Sequence, residues 1–356
     1  MKGIIEKEYL VENLRKMGAV KGAHLMVHSS LSALGFVEGG ANTVVQALIE
    51  AVGDKGSVIM PSFKSAIRSD KYGYKDCKTC EGKKFCTSSE EGTTGAIPEV
   101  LRLYPGALRS CHPTSSWVGF GAQSEKLLEG HRNSPTQCGK DSPFFRLMEL
   151  DGLILLIGVG VNGFTNMHSI EDVLNVPYLG YYDRGKRHAP YTISGRRIQY
   201  QYPLLMEAAF EEAGIIKKFK LGSGQVIVMK AREIGSFLWI SVNNNVWSLV
   251  LRPRGNRYEP FEDACIKVSE MVNAWKNQKD CCTWQEFFKE SKKDIDPNEF
   301  YPAEKPRKDC PAYAGVIEGY HRCMANDPPP WEQFIGYPPQ NYGLCTCDKC
   351  SWPEGG

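Results

Sequence analysis

Gly152-Leu153-Ile154-Leu155-Leu156-Ile157-Gly158-Val159-Gly160-Val161 is the longest apolar run in this chain of 356 residues. A helix needs roughly 20 apolar residues to cross a bilayer, about twice what this run supplies, so it reads as a buried strand over Leu153 to Val159. Working outward, the segment before it, Ser142 to Leu150, reads as a helix. Towards the N-terminus, His24 to His28 and Ser57 to Pro61 read as strands, the second stopped by its proline. Lys7 to Met17 carries Leu10, Val11, Leu14 and Met17 at helical spacing, and Thr43 to Val52 reads as a helix ended by Gly53. Further helices are expected at Gly95 to Leu103 and Ser124 to Gly130, with a loop of small residues from Ser29 to Gly35. Beyond the apolar run, a short strand pair within Tyr191 to Leu221 gives way to a helix around Leu204 to Ala213. A strand at Gln225 to Met229 and a helix at Ala231 to Ile240 follow. This alternation predicts an α/β fold in which helices cover a sheet.

Lys and Arg number 43 against 41 Asp and Glu, a formal charge of +2 without the basic excess that neutralising a phosphate backbone requires. A nucleic-acid partner is therefore not expected. With 42% hydrophobic and 24% charged residues the composition is that of a globular protein with a substantial core. The N-terminal Met1 to Glu8 meets charge almost at once and has no apolar h-region, so a cytoplasmic location and no membrane association are expected. From about Arg252 the composition turns rich in proline, cysteine and tryptophan. We expect a boundary there: a main domain over residues 1–251 and a loop-rich, Cys/Pro-rich extension over 252–356.

Thirteen cysteines cannot all pair within one molecule. Cys77, Cys80 and Cys86 have the spacing of three ligands of a tetrahedral thiolate site. Cys345, Cys347 and Cys350 form a second dense group, with Cys310, Cys323 and His321 available to complete it. Structural zinc would explain how a proline-rich tail with little core stays folded, because ligation energy substitutes for buried area. Free thiols or a few disulfides fit the same spacing.

Three segments could carry chemistry. His168 and Glu171 stand three apart just after the glycine-punctuated loop Gly158 to Gly163, so a helical turn would put them on one face at the carboxyl end of the buried strand. Ligands bind at that end of open α/β sheets, and an imidazole oriented by a carboxylate could remove a proton there. The bland reading is that the two cap a helix. His28-Ser29-Ser30-Leu31-Ser32 offers hydroxyls and N–H groups after a strand, and is otherwise an ordinary turn. In His112-Pro113-Thr114-Ser115-Ser116-Trp117, His112 could be catalytic or could simply hydrogen-bond within a turn.

Taken together, these segments resemble the aminoglycoside 3-N-acetyltransferase family. The resemblance runs in order over about residues 1–245, through Val27 to Gly35, Gly39-Gly40-Ala41, Ile59 to Phe63, Gly95 to Glu99, Arg109 to Ser116, Gly130-His131 and Ser142-Pro143-Phe144. It closes on Leu155 to Gly160 leading to His168-x2-Glu171. It implies the antibiotic-acetyltransferase fold, with acetyl-CoA as donor and direct transfer to an amine of an aminoglycoside at the 3-N position. On this resemblance His168 is the general base, with Glu171 orienting it or holding a cationic substrate. Ser29, Ser30, Leu31, Ser32, Ser115 and Ser116 line the CoA tunnel, and Glu99, Glu171 and Asp172 face the acceptor.

The chain departs from the family's pattern between Phe63 and Gly95. There the Cys77, Cys80, Cys86 group is accompanied by Lys71, Lys75, Lys78, Lys83 and Lys84, which would repel a polycationic antibiotic. Asn162 stands where relatives commonly have an aspartate. Two alternatives follow: a CoA-dependent N-acyltransferase acting on an amine metabolite that is not an antibiotic, or a zinc-stabilised binding or scaffold protein on the same fold.

Overall fold

A computed structural model describes residues 4–63, 83–87, 89, 91–112, 115–131, 138–164, 167–174, 181–183, 192–194, 203–245, 248–249, 261–281, 286–287 and 289, with backbone alone at 162, 181–183, 192–194, 203–204 and 261–263. Its centre is three parallel strands, β1 (His24–Ser29), β2 (Ser57–Pro61) and β5 (Leu153–Ile157). Their residues are almost wholly buried, as expected of strands covered on both faces. Register pairs Met26 with Ile59 on one side and with Ile154 on the other, so the carboxyl ends of all three strands lie along one edge.

Antiparallel strands extend this core on both sides. β3 (Leu108–Arg109) and β4 (Trp117–Gly121) flank β2, while β8 (Ile216–Leu221) and β9 (Gly224–Lys230) flank β5. The result is a seven-stranded mixed sheet in the order β3-β4-β2-β1-β5-β9-β8; a separate pair, β6 (Tyr181–Asp183) and β7 (Thr192–Ser194), is antiparallel. The α/β reading of the sequence therefore holds, but β3, β4 and β8 add antiparallel strands that periodicity did not predict. Within the expected loop from Ser29 to Gly35, Leu31–Leu34 forms one helical turn, α2.

Alternation along the strands sorts side chains to two apolar layers. Leu25, Val27, Val58, Met60, Leu155 and Ile157 point to one, where they meet α1 (Lys7–Lys16), α3 (Gly40–Val52) and α4 (Ala96–Arg102). Met26, Ile59, Ile154 and Leu156 point to the other. That layer is covered by α5 (Ser124–Leu128), α6 (Pro143–Glu149), α7 (His168–Leu174), α8 (Pro203–Glu212), α9 (Ala231–Asn244) and α10 (Phe261–Gln278). Each fully buried aliphatic or aromatic side chain contributes about 1.5–3 kcal/mol relative to exposure.

α10 lies in the expected extension, yet its Ala264, Val268, Met271, Val272 and Trp275 are buried in the same core, and Trp275 Nε1 donates to Ala213 O at 3.1 Å. The expected boundary near residue 252 lies outside the described residues. No helix among the described residues is long and apolar enough to cross a membrane.

Candidate active site

β5 delivers the chain to the carboxyl edge at Ile157, and Gly158 then turns with φ +68°. A Cβ on Gly158 would stand 2.4 Å from Ala33 Cβ and 3.1 Å from Ser30 O, so only glycine lets this exit pass so close to α2. After a 3-10 turn at Val161–Gly163, Phe164 and Met167 enter the core, followed by Ile170 and Val173 of α7. These anchors fix the remaining positions of the helix. His168 Nδ1 lies 2.5 Å from Glu171 Oε2, with the Glu171 side chain 1% exposed and that of His168 14% exposed. A carboxylate so buried requires a partner, and the imidazole is one. A neutral imidazole that donates Nδ1–H to Glu171 carries its lone pair on Nε2. Asp172, also buried, accepts the Cys138 N–H at 3.1 Å.

The same edge carries both serine segments. Ser30 N–H donates to Ile157 O at 2.9 Å, tying the end of β1 to that of β5, and the Ser30 and Ser32 hydroxyls lie 3.2 Å apart. Ser29 ends β1 in register with Ile157, and Leu31 opens α2. On the other side, Trp117 pairs with Pro61, and Ser62 N–H donates to Ser116 O at 2.8 Å. Ser115 and Ser116 thus lie beside the end of β2, with the end of β1 one strand further in. The Trp117 ring bridges the two, edge-on to His28 at 5.6 Å and to Phe63 at 6.1 Å. Buried Arg109 donates from Nη2 to Ser62 O at 2.6 Å.

Glu99, on α4, accepts two hydrogen bonds from Arg102 at 2.9 and 2.5 Å and one from Gly92 N–H at 3.2 Å. The Arg102 hydrogen bonds hold its carboxyl below the usual carboxylate range. Cys86 N–H donates to Arg109 O at 2.8 Å, so the return of the lysine-bearing segment runs along β3. Lys84 fastens it to Glu125 at 2.5 Å and Glu129 at 2.8 Å. Cys77, Cys80, Cys345, Cys347 and Cys350 lie outside the described residues. Among the described residues no group of three His, Cys, Asp or Glu side chains could hold a metal ion.

Spacing did not associate His131 with His112, 19 positions away. The structure stacks their rings at 4.6 Å.

A family model described as aminoglycoside 3-N-acetyltransferase matches residues 26–239. The SPbeta prophage-derived aminoglycoside N(3')-acetyltransferase-like protein YokD of Bacillus subtilis (strain 168) is 34% identical over 236 residues, covering 60% of this chain and 84% of that protein. Aminoglycoside N(3)-acetyltransferase VIII of Streptomyces fradiae is 31% identical over 216 residues, covering 55% and 70%. Among solved structures, that of the YokD protein from Bacillus subtilis superposes with a TM-score of 0.56 at 27% identity, covering 68% of this chain and 95% of the other. A match of that length shows that this chain belongs to the aminoglycoside 3-N-acetyltransferase family.

Proposed function

We propose that this protein transfers the acetyl group of acetyl-CoA to the 3-amino group of an aminoglycoside, with His168 as general base. The observation that carries this reading is the buried contact of 2.5 Å between His168 Nδ1 and Glu171 Oε2 at the carboxyl edge of the parallel core. Glu171 holds the imidazole proton on Nδ1, so Nε2 takes the proton of the attacking amine. The amine nitrogen forms a bond to the thioester carbon. The tetrahedral intermediate then collapses, the C–S bond breaks, and CoA leaves as a thiolate that is protonated to the thiol. Ser29, Ser30, Leu31 and Ser32, with Ser115 and Ser116, receive the donor, and N–H or O–H groups aimed at the thioester oxygen stabilise the charge that develops there.

Glu171 and Asp172 together give the acceptor side a negative field that attracts an ammonium substrate. Glu99 has both carboxylate oxygens engaged by Arg102 and is left out of this assignment. The test is acceptor-dependent thiol release from acetyl-CoA with a panel of aminoglycosides. We expect His168→Ala to lower kcat by about 10²–10⁴, the usual range for a general base. Release that is independent of acceptor, or unaffected by the substitution, would sink the reading.

The lysines between Phe63 and Gly95 favour a second acceptor class, an amine metabolite of lower positive charge. Profiling monoamines and polyamines beside aminoglycosides separates the two. The second reading is dropped if kcat/KM is highest for the most cationic acceptors.

A further inference from the structure

The turn between β3 and β4 is held by two histidines that take no part in the chemistry above. His112 and His131 are both 0% exposed, and their stacked rings are tilted by 24°. Ser115 N–H donates to His112 Nδ1 at 2.9 Å, which requires a lone pair on that nitrogen and leaves the ring proton of a neutral imidazole on Nε2. Ser110 Oγ accepts the Trp117 N–H at 2.8 Å and shares a hydrogen bond of 3.0 Å with His131 Nδ1. The stacked pair therefore grips the turn at two points, directly at Ser115 and through Ser110 at Trp117. Between them, Ser116 Oγ donates to His112 O at 2.7 Å, and Ser116 O accepts from Ser62 N–H at 2.8 Å.

A buried imidazole is costly to keep where an aliphatic side chain would pack, unless its nitrogens are used. Here Nδ1 takes the backbone N–H of one of the two serines assigned to the donor. We propose that His112, braced by His131, is a positioning residue for the acetyl-CoA side of the site, setting the Ser115-Ser116 backbone that lines the bound donor. This rests on the donor reading of Ser115 and Ser116 given above. Because His168 is carried by another element, loss of the grip weakens donor binding and leaves the proton-transfer step largely intact.

The test compares His112→Leu, which keeps apolar bulk without an acceptor, with His112→Asn, whose amide oxygen stands near the position of Nδ1. The Kd of CoA by calorimetry and the KM of acetyl-CoA are measured on both and on the unmodified protein. His112→Leu is expected to raise both by about tenfold, the size of one buried hydrogen bond left unmade, with kcat within about threefold. His112→Asn is expected to return both to within about threefold of the unmodified protein. Equal shifts in the two variants, or a fall in kcat at constant KM, overturn the proposal. Unmodified protein that binds no CoA overturns the donor reading together with this one, whereas binding that is indifferent to both substitutions overturns this one alone. Should His112→Leu not fold, ring nitrogen-15 spectra of the unmodified protein decide: a protonated His112 Nδ1 refutes the grip, and a bare one supports it.

Discussion

The two edges of the parallel core are built from different materials. At the carboxyl edge, polar side chains make the joins: His112 with Ser115 N–H, Ser110 with His131, Arg109 with Ser62 O, His168 with Glu171. At the amino edge, close backbone turns do the joining. Gly121, at φ +111°, lies so near β2 that a Cβ would stand 2.3 Å from Gly56 O, and Ala122 N–H donates to that same oxygen at 2.9 Å. Ser57 Oγ merely receives the Gln123 N–H at 2.7 Å. One edge concentrates groups that can hold or exchange protons; the other closes the fold. Substitutions should therefore separate cleanly into those that change rate and those that change stability.

The sharpest break in this comparison is at Glu171. Glu171→Gln should lower kcat by about a hundredfold, at the low end of general-base contributions, with thermal stability less affected than rate. An unchanged kcat would remove the carboxyl edge's claim to the chemistry. At the opposite edge, Gly121→Ala should cost about 2 kcal/mol in urea unfolding, through positive φ and the clash with Gly56 O, with kcat/KM per folded molecule unchanged. Ser142 caps α6, the helix leading into β5, by accepting the Phe145 N–H at 3.4 Å. Ser142→Ala should cost about 1 kcal/mol by the same measurement.

The smallest effect concerns His24, at the start of β1. Burial, aided by the Lys126 charge, holds its imidazole below the ordinary 6.5. The unfolded ring takes up a proton first as pH falls. Its contribution is therefore complete above about 6.5 and is lost as pH drops through that value towards the lower folded one. His24→Gln should flatten the decline of melting temperature between about pH 7 and about pH 5, and an unchanged slope would refute this assignment.

Much of the central sheet was legible because parallel strands covered on both faces are continuous apolar runs. Ser57 to Pro61 was bounded by its own proline, whereas the run read as a strand to Val159 leaves the sheet at Ile157, where Gly158 turns. The added antiparallel strands were not. Trp117–Gly121 contains two glycines in five positions and emerges from a serine-rich turn, while Ile216–Leu221 carries three lysines at a sheet margin. The helical spacing of Ala264, Val268, Met271, Val272 and Trp275 was present in the sequence but masked by the proline and cysteine around it. At the site, His168 and Glu171 could be paired by counting because one helical turn joins them. The His112–His131 stack could not, since sheet pairing of β3 with β4 brings the first ring into place and the chain after α5 brings the second.

α10 has a practical consequence for anyone handling this protein in pieces. Residues 26–239, the span that the family model matches, end just short of the last turn of α9, and Phe237 there faces the Trp275 ring at 5.8 Å. A chain trimmed to that span would present Phe210 and Phe237 to water as a contiguous greasy surface, and would be expected to self-associate rather than dissolve. The polypeptide that must be expressed as a unit is longer than residues 26–239.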